Sequence, residues 1–145
     1  MKFIGIDPGV HNGMAVWDNR TAKLNDYFDL SFWDMISKLQ NFHALSHLPG
    51  LEITVIIEDP NLNKPVFLKR GVASHAAEKK VAQNVGMNKA YARLVIEYCE
   101  KYNIPYEAVK PVTKKWDANM FGKITGIKVR TSQHVRDAVK LVWGR

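Results

Sequence analysis

The chain has 145 residues, 46% of them hydrophobic and 24% charged, with a formal charge of +7. That is an ordinary globular composition, long enough for one domain with a buried core. The single cysteine, Cys99, excludes an internal disulfide and fits a reducing cytoplasm, and the longest aliphatic run, Ile53–Ile57, is too short to cross a bilayer.

No signal-peptide pattern, internal repeat, low-complexity tract or domain linker is evident, and no Cys/His cluster has zinc-site spacing. The charge is uneven. Through Pro60 there are four Lys/Arg and eight Asp/Glu, a net of −4; from Asn61 onward there are seventeen and six, a net of +11. The two halves sum to +7. An acidic first half beside a strongly basic second half points to a polyanionic partner, nucleic acid before any other.

Three short strands open the chain: Lys2–Asp7, Met14–Asp18 and Lys23–Asp29. Turns at P-G-V-H-N-G and N-R-T-A separate them, which predicts antiparallel hairpins. Ser31 and Asp34 form a capping-box pattern opening a helix over about Phe32–Ser46, with Trp33, Ile36 and Leu39 in a stripe for the core. His43 and His47 are four apart without an acidic ligand nearby, so they read as structural or exposed.

Ile53–Glu58 is a second buried-type strand ending in a carboxylate. It follows a helix, so it is expected parallel to the first strand, which sets Asp7 and Glu58 on one rim of the sheet. Asp59 points to the other side by period-2 alternation. Asn61–Gly71 reads as a basic loop. Helices follow at about Ser74–Gln83 and Asn88–Tyr102, with a break at Asn84-Val85-Gly86. Tyr106–Val109 is a further strand. A short helix around Lys114–Met120, capped by Thr113, leads into an irregular Phe121–Gly126. Thr131 or Ser132 caps a last helix through about Trp143.

That last helix carries H-V-R-D. His134 and Asp137 are three apart and share a face. Two strand-end carboxylates beside this pair make a compact anionic site that is costly to assemble without a cation. Oxygen ligands of this kind suit Mg²⁺ or Mn²⁺. Two such ions clamp the attacking and leaving oxygens of a phosphodiester. Asp7 is the natural bridging ligand, flanked by Glu58 and Asp137, while His134 reads as a ligand or a proton shuttle.

The ordered set F-I-G-I-D-P-G-V-H-N-G, V-I-I-E and H-V-R-D-A resembles the RuvC-type Holliday-junction resolvases of the RNase H-like superfamily. The run N-V-G-M-N-K-A-Y-A-R-L is similar to the region after the family's second acid. His134 departs from the commoner Asp of the final motif. The resemblance covers nearly all of residues 1–145 in element order. It implies an α/β fold, a single RNase H-like domain with a mixed five-stranded sheet flanked by helices. It also implies a cytoplasmic, homodimeric endonuclease of a bacterial or phage-infected cell, one that uses Mg²⁺ or Mn²⁺, two ions per site, and no small-molecule cofactor. Asp7, Glu58, His134 and Asp137 would be its catalytic and metal-binding residues. It would nick opposed strands of a four-way DNA junction, leaving 5′-phosphate and 3′-hydroxyl ends.

Lys64, Lys69, Arg70, Lys79, Lys80, Lys89 and Arg93 are expected to flank the site on one side. Lys110, Lys114, Lys115, Lys123, Lys128 and Arg130 would form a second wall, all binding phosphate without sequence preference. Phe67 reads equally as an aromatic that stacks at the junction centre or as a loop anchor in the core. The broad apolar helix Asn88–Tyr102 reads either as a dimer interface or as a buried helix of a monomer. Three rival functions remain. An actin-like kinase or ATPase needs a second domain that this length does not supply. A ribosomal-RNA-processing RNase H-like nuclease has similar acids, and an inactive junction-binding protein would not require the intact carboxylates.

Overall fold

The computed structural model describes residues 1–63 and 75–145. Its strands are β1 (Lys2–Asp7), β2 (Asn12–Asp18), β3 (Lys23–Leu30), β4 (Ile53–Glu58) and β5 (Tyr106–Val109). Its helices are α1 (Phe32–Leu45), α2 (His75–Lys101), α3 (Ala118–Thr125) and α4 (Gln133–Val142). The strands form one mixed sheet in the order β3-β2-β1-β4-β5. β1, β2 and β3 pair antiparallel, while β4 runs parallel to β1 and β5 parallel to β4. This is the RNase H-like α/β arrangement that the resemblance implied.

Strand alternation divides the core into two layers. Ile4, Ile6, Met14, Ile53, Val55 and Ile57 face Met35, Leu39, Val95 and Cys99 of α1 and α2. On the opposite face Ala15, Trp17 and Ile56 meet Phe121 of α3 and Val135, Ala138, Val139 and Val142 of α4. The central strands are apolar on both faces because both are covered. Ser31 caps α1 by accepting from the backbone N–H of Asp34, as the sequence pattern predicts.

Four expectations need correction. The expected break at Asn84-Val85-Gly86 lies inside α2, which runs without interruption from His75 to Lys101. Gly in a helix interior costs only about 1 kcal/mol relative to Ala, too little to end a helix that is anchored elsewhere. Its anchors are Ala92, Val95 and Cys99, all buried. The short helix begins at Ala118, not Lys114, because Asp117 rather than Thr113 caps it through the N–H of Met120. Phe121–Gly126 is therefore not irregular; Phe121 is fully buried, and the helix ends at Gly126 with φ +76°. Trp33 does not join the core: it is 74% exposed, standing edge-on to Phe32.

Candidate active site

Alternation along β1 puts Phe3, Gly5 and Asp7 on the α4 face, and along β4 it puts Ile56 and Glu58 there too. β1 and β4 pair Ile6 with Ile57, so the next step in register sets Asp7 beside Glu58. Asn12, fully buried, fixes the turn that follows Asp7. Its Oδ1 accepts from the Gly9 N–H at 3.1 Å and its Nδ2 donates to the Leu30 carbonyl at 3.2 Å. Asp59 takes the opposite direction, as expected from its parity, and its Oδ1 accepts from the backbone and side-chain nitrogens of Asn61 at 2.9 and 2.7 Å.

The second half of the site arrives on α4, whose N-terminus is capped by Ser132. This helix lies with its backbone almost against the sheet. A Cβ at Gly5 would collide with the carbonyl oxygen of Ala138, and one at Gly13 with that of His134. The two glycines thus form a saddle that lets α4 cross β1 and β2 closely. The approach brings His134 Nδ1 to 2.8 Å from Asp7 Oδ2, although the two are 127 residues apart in the chain. Asp137, one turn later, is buried beside them. All four expected catalytic residues therefore converge on one rim.

The electrostatics are those of crowded carboxylates. Burial, followed by the Asp7 charge, pushes the Glu58 carboxyl up to about 7, and Asp137 adds to the effect. His134 is raised above its ordinary value, first by its hydrogen bond to Asp7 and then by the charges of Asp7, Asp29 and Asp137, against opposition from burial. Lys115 stands inside this cluster, with Nζ donating to Asp137 Oδ2 at 2.5 Å. Burial alone would lower its ammonium, but the Asp137 bond and the charges of Asp137, Glu58 and Asp7 raise it overall.

Three carboxylates and an imidazole are the hard oxygen-and-nitrogen donor set that suits Mg²⁺ or Mn²⁺. The upward shift of Glu58 comes first from burial and then from the neighbouring Asp7 charge. Asp7, Glu58, His134 and Asp137 are the side chains of this cluster whose donor chemistry could hold a divalent ion. As placed, Asp7 gives one oxygen to His134 and Asp137 gives one to Lys115, and among the described residues no three such side chains stand in a ligating array.

A cleft of about 690 Å³ opens over Asp7, Glu58 and Lys115, walled on its far side by Val81, Val85 and Lys89 of α2. Lys79 and Lys80 are exposed on the same helix, while Arg93 is partly engaged with Glu97 at 3.9 Å. Lys110 and Lys114 are exposed between β5 and α3. Lys123, Lys128 and Arg130 line a separate groove of about 500 Å³ on α3 and the segment that leads to α4. Lys64, Phe67, Lys69 and Arg70 lie outside the described residues. Lys115 belongs with the acids rather than with a peripheral wall, which its place in a run of basic residues did not reveal. Asn12, Gln133 and Arg136 also escaped sequence reading; the polar side chain at Asn12, between two apolar strand patterns, was the available signal.

Neither a protein-family model nor a curated protein sequence matches this chain. Among solved structures it is similar to the Thermus thermophilus RuvC, whose structure is in complex with a Holliday-junction substrate. The two are 19% identical with a TM-score of 0.55, over 99% of this chain and 90% of that one. The fold of the present chain is that of a RuvC-type resolvase.

Proposed function

We propose that the protein is a divalent-metal-dependent endonuclease that resolves four-way DNA junctions by paired nicks, leaving 5′-phosphate and 3′-hydroxyl ends. The observation that carries this reading is the convergence of Asp7, Glu58, His134 and Asp137 on one sheet rim, with Asp7 and Glu58 lining a cleft that Lys89 and Lys115 also line. The fold it shares with a junction-bound RuvC supports branched DNA as the substrate.

Asp7, Glu58 and Asp137 would hold the ions, with His134 either as a further ligand or as a proton acceptor; when bound, the ions would supply an activated water and Lewis-acid stabilisation of the charge on the phosphate. The chain's own groups do the rest. Because Asp7 only accepts, His134 carries its proton on Nδ1 and presents Nε2 as a free acceptor. Nε2 can take the proton of an attacking water and pass it to solvent, since the ring is only half-buried. Lys115 is within reach of a scissile phosphate in the cleft, and Lys89 faces it across the opening.

A two-fold junction is matched by a two-fold dimer, in which each protomer cuts one strand. Met87 and Leu94 are exposed along the second half of α2, as is Tyr102 just past its end, while Val95 and Cys99 are buried against the sheet. That division leaves one face of the helix on the core and one on which a second copy would pack. The reading is tested with purified protein, Mg²⁺ and synthetic four-way junction, linear duplex and structured RNA. Symmetric nicks in the junction alone support it; preferential RNA cleavage favours an RNA-processing nuclease. Junction binding without cleavage favours an architectural protein, a reading that draws on the Lys115–Asp137 pair.

A further inference from the structure

Gln133 and Arg136 lie on α4 beside Asp137, and their hydrogen bonds form a closed set. Gln133 Nε2 donates to Asp137 Oδ1 at 2.7 Å and to the Trp116 carbonyl at 3.3 Å. Arg136 NH2 donates to Gln133 Oε1 at 2.8 Å, its Nε to the Trp116 carbonyl at 3.1 Å, and its NH1 to the Thr131 carbonyl at 2.5 Å. All three guanidinium nitrogens are thus used within the protein, which sets Arg136 apart from the phosphate-binding cations.

A guanidinium can only donate, so it accepts no other orientation of the Gln133 amide than the one with Oε1 facing it. The NH₂ end must then face Asp137. One oxygen of Asp137 is held by Gln133, while the other points into the acid cluster, where Lys115 meets it. The same two side chains converge on the carbonyl of Trp116, the residue that follows Lys115. A single clamp therefore orients the carboxylate and secures the segment that delivers the ammonium.

We infer that Gln133 and Arg136 are positioning residues that hold Asp137 for cation binding and fix the Lys115–Trp116 segment next to it. This inference rests on the proposed metal-dependent reading of the site. Partners that orient a ligating carboxylate commonly account for 10–100-fold in metal affinity. Gln133→Leu removes the amide at similar volume. Arg136→Lys keeps the charge but replaces the planar fork of three separate nitrogens by one compact ammonium, which does not match the spacing of the Gln133, Trp116 and Thr131 oxygens.

The test uses the full chain and two measurements that do not depend on turnover. Mn²⁺ binding is measured by titration calorimetry, and amide hydrogen exchange over residues 113–117 is measured without metal. Both variants are expected to bind Mn²⁺ about 10–100-fold more weakly and to exchange faster over 113–117, with exchange in β1 and β4 unchanged. A merely structural role would speed exchange throughout the protein and leave Mn²⁺ affinity in the folded fraction intact, which overturns the inference. Arg136→Lys serves if Gln133→Leu does not fold. If the wild-type protein cuts junctions while both variants keep its affinity and exchange, the clamp fails and the nuclease reading stands. If the wild-type protein binds Mn²⁺ and the variants lose it, yet no nucleic acid is cut, the clamp stands and the nuclease reading fails. A wild-type protein that binds no Mn²⁺ overturns both.

Discussion

His134 Nδ1 lies 2.8 Å from Asp7 Oδ2, tying the N-terminal turn of α4 to the end of the first strand. The contact sets the imidazole tautomer and joins the two ends of the chain at the centre of the acid cluster. It also raises the imidazole above its ordinary value, so a proton is retained to higher pH than in a free histidine.

If His134 accepts a proton or ligates during turnover, cleavage falls as pH drops through this raised value. His134→Asp keeps substantial activity and moves the acid limb to lower pH, since a carboxylate remains ionised there. His134→Ala loses most turnover, on the order of 10²-fold or more. The three pH–rate profiles, measured side by side, decide; full activity of His134→Ala at every pH would leave a site of three carboxylates.

Asp7→Asn is expected to abolish cleavage while junction binding survives or strengthens, because one fewer negative charge faces the phosphates. Glu58→Gln and Asp137→Asn should behave alike. Gel-shift and cleavage assays on one junction separate the two effects, and parallel loss of both would make Asp7 a folding residue.

Glu58 and His134 make the metal-free protein lose stability as pH rises. Both groups have folded-state values above the unfolded ones, so the folded state binds more protons. The Glu58 contribution declines between about 4.5, its ordinary value, and about 7; that of His134 declines above 6.5. Thermal midpoints taken without metal should fall from pH 5 to pH 8. Glu58→Gln should flatten the curve and raise the midpoint at pH 8 by roughly 5 °C. A divalent ion should remove much of the same slope in the wild-type protein.

Lys123, Lys128 and Arg130 line the groove next to α3 and make no ion pair among the described residues. If each neutralises one duplex phosphate, replacing it with Ala lowers the slope of log affinity against log salt by about 0.9. Binding isotherms at four salt concentrations measure this, and an unchanged slope in the triple variant would remove the groove from the DNA path.

Gly13→Ala places a methyl group against the His134 carbonyl and must lift α4 off β2. The expected cost is about 1–3 kcal/mol, read as a melting temperature lower by roughly 5–10 °C. Cleavage should fall further than folding, since the His134–Asp7 contact opens with the helix.

The strands, the parity that pairs Asp7 with Glu58, and the shared face of His134 and Asp137 were legible in the sequence, because they rest on the local periods of strand and helix. β1, β4 and β5 begin and end where the apolar pattern places them. What the sequence could not determine depends on partners distant in the chain. α2 passes through Asn84-Val85-Gly86 because Ala92, Val95 and Cys99 anchor it against the sheet, and the local cost of a glycine is small by comparison. Trp33 has the right spacing for a core stripe, but the face that packs is the one carrying Met35, Ile36 and Leu39, and Trp33 is left exposed. Lys115 sits in a segment without periodicity, and contacts from α4 to Lys114 and Trp116 carry its ammonium into the acids. Local pattern determined which residues lie at the ends of elements. The close crossing of α4 over Gly5 and Gly13 decided that those ends form one site, because only tertiary contact brings together charges that repel one another.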